Sequence, residues 1–339
     1  MKALIKTGDA FLWRPASWCG RWLAPLFHTR QPSDRPLILR PGGLGDLILL
    51  CVALEELGLD PKKSYWLIEK RSREWADHLG LDYVCYDVGF PQNLWSLAGR
   101  FSVVVNSEQR FGLAQAAAVL MAAKGGRIFS FETNRGAQFA DERIPYDPLS
   151  SHETIEFSRL LIQSLKLLQP IPDRIMRQRR FPPSGKPVVG LGGFQSKSRS
   201  LSKEQWSRLI RDWSRGRDFY ITSSPQDTAF AQNLAERFPG RAQPILRPFS
   251  QLCQLVQTAE EILTMDSGFL HIASYYGVPT TGLFTSGRAE KFLPLAPHSR
   301  LVKRSDLTCQ PCALFGQVPP CPYAYACKEL DFSAHKINI

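Results

Sequence analysis

The sequence predicts an α/β protein built as two similar parallel-sheet halves, on three observations. Short apolar runs alternate with stretches of helical apolar spacing, a pattern that implies parallel sheets covered on both faces. Each half carries a small-residue turn between a strand and a helix, Pro41-Gly42-Gly43 and Asp266-Ser267-Gly268. A breaker-rich segment, residues 171–187, separates the halves, and a length of 339 residues suits two domains that each hold a core.

In chain order, Leu37-Ile38-Leu39 reads as a buried strand, and apolar positions return at helical spacing from a start near Asp46 to Gly58. Strands follow at Tyr65–Ile68, Tyr83–Tyr86 and Phe101–Asn106. An alanine-rich helix spans Leu113–Ala123, a strand Arg127–Phe131, and a long loop through Pro145 and Pro148 leads to a helix over Glu153–Leu168. After the linker the pattern restarts: strands at Val188–Gly192, Phe219–Thr222, Glu261–Thr264 and Val278–Phe284, with helices at Lys203–Arg215, Thr228–Phe238 and Gly268–Tyr276. Two such halves are expected to enclose a cleft between their strand ends, where ligands tend to bind. The divisions expected are a 1–35 aromatic and basic extension, a 36–170 N-terminal domain, a 171–187 linker and a 188–339 C-terminal domain with a Cys-rich end.

Composition narrows the class. Hydrophobic content of 44% and charged content of 22% describe a globular chain, and no apolar run approaches the length of a membrane span. The net charge of +11 favours an anionic partner: nucleic acid, anionic lipid or a phosphorylated substrate. A nucleic-acid partner is not expected, because no basic strand is interleaved with aromatics. Residues 1–35 hold Trp13, Trp18 and Trp22 among Arg14, Arg21 and Arg30, without the pattern of a secretory signal. Phe11, Trp18, Trp22, Leu26 and Phe27 fit a helical face lying in a bilayer interface, and they equally fit an extension packed on its own domain. Pro15 and Pro25 are expected to limit any helix there.

At each turn, chemistry competes with a plain structural role. Asp46, at a helix start behind a strand end, stands where open α/β sheets place ligands, or it only caps the helix. Ser267 and Gly268 offer a hydroxyl and backbone N–H groups to a phosphate. His271 follows one turn later, facing the same ligand or filling the core, and Asp266 again fits a cap.

The motifs GGLGDLILL, DSGFLHIAS and GVPTTGLF, in that order, resemble glycosyltransferase family 9, the lipopolysaccharide heptosyltransferase family, over about residues 37–330. Ser107-Glu108-Gln109-Arg110 and His152 fit the same pattern. The resemblance implies a GT-B fold, two Rossmann-like domains facing across a cleft, and an inverting sugar transfer without a metal. Asp46 matches the family's general base, and Gly42, Gly43 and Gly45 keep side chains out of the space before it. Asp266, Ser267, Gly268 and His271 match the donor motif, and Ser267, Gly268 and the helix behind them its diphosphate cradle. Arg199 falls where the family has a lysine, with Lys197 beside it. Gln226 and Asp227 lie where the family meets the nucleoside. Phe269, Ser286 and Leu201 depart from the pattern, which leaves the donor open; ADP-heptose is the family default. The implied partners are a nucleotide-sugar donor and an anionic glycolipid acceptor, with peripheral contact at the cytoplasmic face of the inner membrane.

No Asp-x-Asp metal motif occurs, so no catalytic metal or other cofactor is expected. Cys309, Cys312, Cys321 and Cys327 begin with zinc-ligand spacing and continue more loosely; a structural zinc, a disulfide and plain thiols all fit. Two other readings compete for function. One is a GT-B protein that binds glycan or nucleotide without catalysis. The other is a dinucleotide dehydrogenase, for which the glycine spacing is wrong and Glu69 is the only loose match to a ribose acid.

Overall fold

The structure, a computed structural model, describes residues 2–27, 31–89, 91–192, 197–313, 318–332 and 336–338. The chain forms two compact units, Met1–Arg174 and Ile175–Ile339.

The first unit runs α1 (Lys2–Leu23), β1 (Leu37–Arg40), α2 (Leu44–Glu56), β2 (Tyr65–Ile68), α3 (Arg73–Leu79), β3 (Asp82–Cys85), α4 (Gln92–Leu97), β4 (Phe101–Asn106), α5 (Gly112–Met121), β5 (Ala122–Phe131), β6 (Glu142–Ile144) and α6 (Glu153–Ser164). Its six strands are all parallel, in the order β3-β2-β1-β4-β5-β6. Leu37 sits between Tyr65 and Val104 in register. Strands of a sheet covered on both faces read as unbroken apolar runs, and Leu37, Ile38 and Leu39 are fully buried. Helix α2 is buried from Leu47 to Leu54, as a helix apolar on all sides must be.

Two expectations change here. Helix α1 does not stop at Pro15 but runs through it. A mid-helix proline costs about 3 kcal/mol, which the packing of α1 along α5 offsets. The loop before Pro145 contains β6, a short edge strand whose Glu-Arg-Ile sequence carries no apolar run.

The second unit runs β7 (Val188–Gly190), α7 (Lys203–Ser214), β8 (Phe219–Thr222), α8 (Thr228–Ala235), β9 (Ala242–Ile245), α9 (Phe249–Thr258), β10 (Ile262–Met265), α10 (Gly268–Tyr275), β11 (Thr280–Leu283), α11 (Ala289–Phe292), β12 (Arg300–Val302) and β13 (Lys336–Asn338). The order β13-β12-β11-β10-β7-β8-β9 repeats the first sheet's topology, with β13 added antiparallel at the edge. Trp206, Trp213, Phe219 and Phe238 anchor its core. Part of the breaker-rich segment is seated on this unit: the Arg177 N–H donates to the Leu295 carbonyl (2.8 Å) and that of Arg180 to Tyr276 (3.2 Å). Gly277 allows the approach, since its φ is +67° and a Cβ there would lie 2.3 Å from the Gln178 carbonyl oxygen.

Both sheets therefore have the doubly wound order in which the chain reverses direction beside the first strand. Ligands bind such sheets outside the strand C-termini at that reversal. In the first unit it lies between β1 and β4, and in the second between β7 and β10.

Candidate active site

At the β1/β4 reversal the chain leaves Arg40, turns at Pro41-Gly42-Gly43 and enters α2, with Asp46 in the first turn. Asp46 is not a cap: Gly43 holds the N-cap position and no side chain caps the helix. Its Oδ2 instead accepts a hydrogen bond from Arg40 Nη2 at 2.9 Å. The Arg40 side chain is 3% exposed and that of Asp46 23%, so a buried cation positions a carboxylate that still reaches solvent.

Arg40 also donates through Nη1 to the Ser107 carbonyl (2.6 Å) and to Gln109 Oε1 (3.3 Å), and lies 3.5 Å from Glu108 Oε1. Burial alone would lower the Arg40 pKa, but Glu108, then Asp46 and Glu153, outweigh it and hold the pKa above its ordinary value. Glu153 accepts from Gln109 Nε2 (2.5 Å) and from the Tyr146 hydroxyl (2.8 Å). Burial, reinforced by Glu153, raises the Tyr146 pKa and keeps its proton in place. Both the N–H and the hydroxyl of Ser107 donate to the Leu39 carbonyl, which locks the β4 end onto β1.

Gly42 is the glycine this arrangement requires. A Cβ there would stand 2.5 Å from both Arg40 Nη2 and Glu108 Oε1. At Gly43 the nearest atom, Asp46 Oδ2, would be 3.5 Å away, an ordinary contact, and Gly45 lies within α2. Arg40 was not among the residues singled out from sequence; the signal was a charge closing an otherwise apolar strand. His152 serves as the N-cap of α6, its Nδ1 accepting from the Thr154 N–H at 3.2 Å. Glu69 is buried and engaged by Arg71 (2.6 Å).

At the β7/β10 reversal, the Thr264 hydroxyl donates to the Gly190 carbonyl (2.8 Å) and ties the two strand ends together. Ser267 is the N-cap of α10, but its side chain makes no capping bond, and its buried Oγ has no hydrogen-bond partner among the described residues. Gly268 opens the helix. Gly192 crowds the same hydroxyl, since a Cβ there would lie 2.7 Å from Ser267 Oγ. Arg199 donates through Nη1 to the Asp266 carbonyl (3.2 Å) and pairs with Asp266 Oδ2 (3.5 Å). A cation, an unengaged hydroxyl and a helix N-terminus thus meet in one place, an arrangement suited to a phosphate.

Phe269 lies over Gly190, where a Cβ would fall 2.2 Å from the ring, so the glycine leaves room for it. Ser286 is 2.8 Å from the Ser198 hydroxyl, linking the end of β11 to the loop that carries Arg199. Lys197 is exposed in that loop. Residues 193–196 of the motif leading into it lie outside the described residues. His271 is buried with its ring edge-on to Phe292, and burial pushes its pKa down to about 3. It is therefore neutral and brings no positive charge to this site. Gln226 is exposed in the short turn before α8, and Asp227 accepts a hydrogen bond from Ser224. Neither lines the neighbouring cavity, which is formed by residues such as Ser223, Thr228 and Pro244.

Cys309, Cys312, Cys321 and Cys327 line one small cavity with Ser198 and Ser286. All four are free thiols in the structure. Burial and the neighbouring thiols push Cys327 up to about 11. The donor atoms suit zinc, but among the described residues no three His, Cys, Asp or Glu side chains are arranged to hold an ion.

Two doubly wound sheets with this repeated order are the architecture of the GT-B fold, and solved structures share it. E. coli ADP-heptose lipopolysaccharide heptosyltransferase II shares 12% identity at a TM-score of 0.62, covering 80% of this chain and 91% of its own. E. coli heptosyltransferase WaaC with ADP shares 15% identity at 0.62, covering 77% and 91%; its complex with ADP-2-deoxy-2-fluoro heptose gives 14% at 0.59, covering 77% and 96%. The family 9 glycosyl transferase from Veillonella parvula DSM 2008 shares 15% identity at 0.61, covering 81% and 87%. At these identities the likeness establishes the fold. In sequence, residues 179–318 match the model of glycosyltransferase family 9 (heptosyltransferase), which bears out the resemblance drawn from the motifs. No curated protein matches the chain in sequence.

Proposed function

We propose that the protein is an inverting, metal-independent glycosyltransferase that moves a sugar, by default heptose from ADP-heptose, to a lipopolysaccharide-core or related glycolipid acceptor at the cytoplasmic face of the inner membrane. The observation that carries this reading is the unengaged Ser267 hydroxyl beside Arg199 at the start of α10. Asp46 is the general base. As the acceptor oxygen attacks the anomeric carbon, its proton passes to the Asp46 carboxylate. The bond from that carbon to the phosphate oxygen breaks, and its electron pair leaves with the nucleoside diphosphate. One displacement inverts the centre.

Positioned proton transfer of this kind contributes about 10² to 10⁴ in rate. Arg40 orients the carboxylate through Oδ2, so the geometry of the base is set before substrate arrives. Charge developing on the diphosphate is met by Arg199, with Lys197 nearby in sequence, and by the α10 N–H groups and Ser267. Gln226 and Asp227 contact the nucleoside. WaaC has been solved with ADP and with a fluorinated ADP-heptose, which supports that donor class here.

The test is release of nucleoside diphosphate from ADP-heptose, UDP-sugars and GDP-sugars, with deep-rough lipopolysaccharide as acceptor and EDTA present. Turnover with one donor class in EDTA is expected. Donor binding without turnover would overturn the catalytic reading and favour a binding protein.

A further inference from the structure

Helix α1 has two apolar faces, and the fold uses one. On the inner face Trp13, Ser17 and Gly20 are buried, as is Ala24 in the turn that follows the helix. Gly112 of α5 lies under Trp13, where a Cβ would come within 2.7 Å, and a Cβ on Gly20 would stand 3.1 Å from the Ala116 carbonyl oxygen. Asp9, the helix's only acid, is consumed by this anchoring: it accepts from the Leu113 N–H (2.7 Å) and pairs with Arg135 (3.1 Å).

The outer face is mostly uncovered; the Trp18 ring meets its own unit, edge-on to Phe139 at 5.8 Å between centroids. Phe11 is 80% exposed, Trp22 79% and Trp18 55%. At about 100° per residue, Phe11, Pro15, Trp18 and Trp22 fall within a sector of about 60°, nearly opposite the buried face. Exposed Leu12 widens the stripe on one side, and exposed Arg14 and Arg21 border it on the other. Aromatic residues gathered away from the core, rimmed by arginines with no free acid among them, match the requirements of a bilayer interface: indole and phenyl rings at headgroup depth, guanidinium groups on lipid phosphates. No helix among the described residues is long and apolar enough to cross a membrane.

The geometry points to the outer face of α1 as a docking surface for an anionic lipid bilayer, on which the helix lies flat while its inner face holds the first unit. The charge balance selects this occupant over a second copy of the chain, since that copy would bring arginines of the same sign and a net charge of +11. The inference rests on the glycolipid reading above for its purpose, but on α1 alone for its physics.

The experiment is cosedimentation of the full chain with phosphatidylcholine vesicles, with and without phosphatidylglycerol. Binding to the anionic vesicles is expected, weakening as salt rises. Phe11→Ser/Trp22→Ser should lower the partition coefficient more than about tenfold. Arg14→Gln/Arg21→Gln should lower it about 30-fold on anionic vesicles, from about fivefold per charge. Both variants should keep wild-type turnover on a delipidated acceptor oligosaccharide and lose it on acceptor embedded in vesicles. Unchanged vesicle binding by the two double variants overturns the proposal. So does a wild-type dimer that Phe11→Ser/Trp22→Ser converts to monomer, which would assign the face to a second copy. Should no acceptor be turned over while vesicle binding still follows the variants, the glycosyltransferase reading fails and the docking surface stands.

Discussion

Replacing Asp46 with asparagine separates chemistry from folding. The change removes a proton acceptor but keeps an oxygen that still accepts from Arg40 Nη2, now 2.9 Å from Oδ2. A hydrogen bond to a charged group contributes about 1.5–3 kcal/mol. Retaining its neutral counterpart, in a side chain partly open to solvent, leaves a cost of about 1 kcal/mol. Arg40 is not stranded, because Glu108 remains 3.5 Å away as a buried counter-charge. The melting temperature should therefore fall by only about 2–4 °C. Catalysis should suffer far more: losing the base removes about 10² to 10⁴ in rate, equivalent to about 3–5 kcal/mol of barrier. Single-turnover release of nucleoside diphosphate, with donor affinity followed by equilibrium binding, reads both quantities. Asp46→Asn should bind donor as wild type does and turn it over at least about a hundredfold more slowly. A rate within about tenfold of wild type would refute the assignment of the base.

Other predictions follow from the same geometry. Arg199→Ala should raise the donor KM by about 10- to 100-fold through the loss of a charge-assisted contact, and Arg199→Lys should recover part of it; an unchanged KM would remove Arg199 from the diphosphate site. Gly42→Ala must push Arg40 or Glu108 aside and should lower turnover with little loss of donor binding, whereas Gly43→Ala has room and should stay close to wild type in the same assay. His271 makes the fold acid-sensitive. Above its ordinary pKa of 6.5 the ring is neutral in both states and costs nothing; as pH falls below that, the unfolded chain takes up a proton that the folded chain refuses until about pH 3. Stability should drop by about 1.4 kcal/mol per pH unit across that window, and denaturant titrations of His271→Leu should show a correspondingly flatter acid limb.

Much of the fold was legible because central strands of a covered parallel sheet are contiguous apolar runs, as at Leu37–Leu39 and Val103–Val105. Two edge strands were not, although β3 at the other edge of the first sheet was. Glu142–Ile144 and Ala242–Ile245 carry polar residues, and the latter a proline, because an edge strand leaves one row of backbone groups unpaired and can spare a donor. Helix α1 was obscured by Pro15, whose local penalty is outweighed by contacts with a helix about a hundred residues later in the chain. Phe269 and Ser286 depart from the family pattern; their surroundings were not legible in the sequence, since Gly190 makes room for the ring and Ser198 lies beside the Ser286 hydroxyl only in the fold.

The chain's order of residues determines by itself the two glycine turns, the acids beside them and the repeated strand–helix rhythm, since each depends on neighbours within a few positions. Tertiary structure decided which charge answers which. Arg40 becomes the partner of Glu108 and Ser107 only once β4 lies beside β1, and Arg199 meets Asp266 only once β10 lies beside β7. The outward turn of Phe11 and Trp22 was likewise settled by α5, which accepted Trp13 and left those two rings to solvent. Electrostatic pairing and burial depend on distances across the fold, and those come into being only when the sheets close.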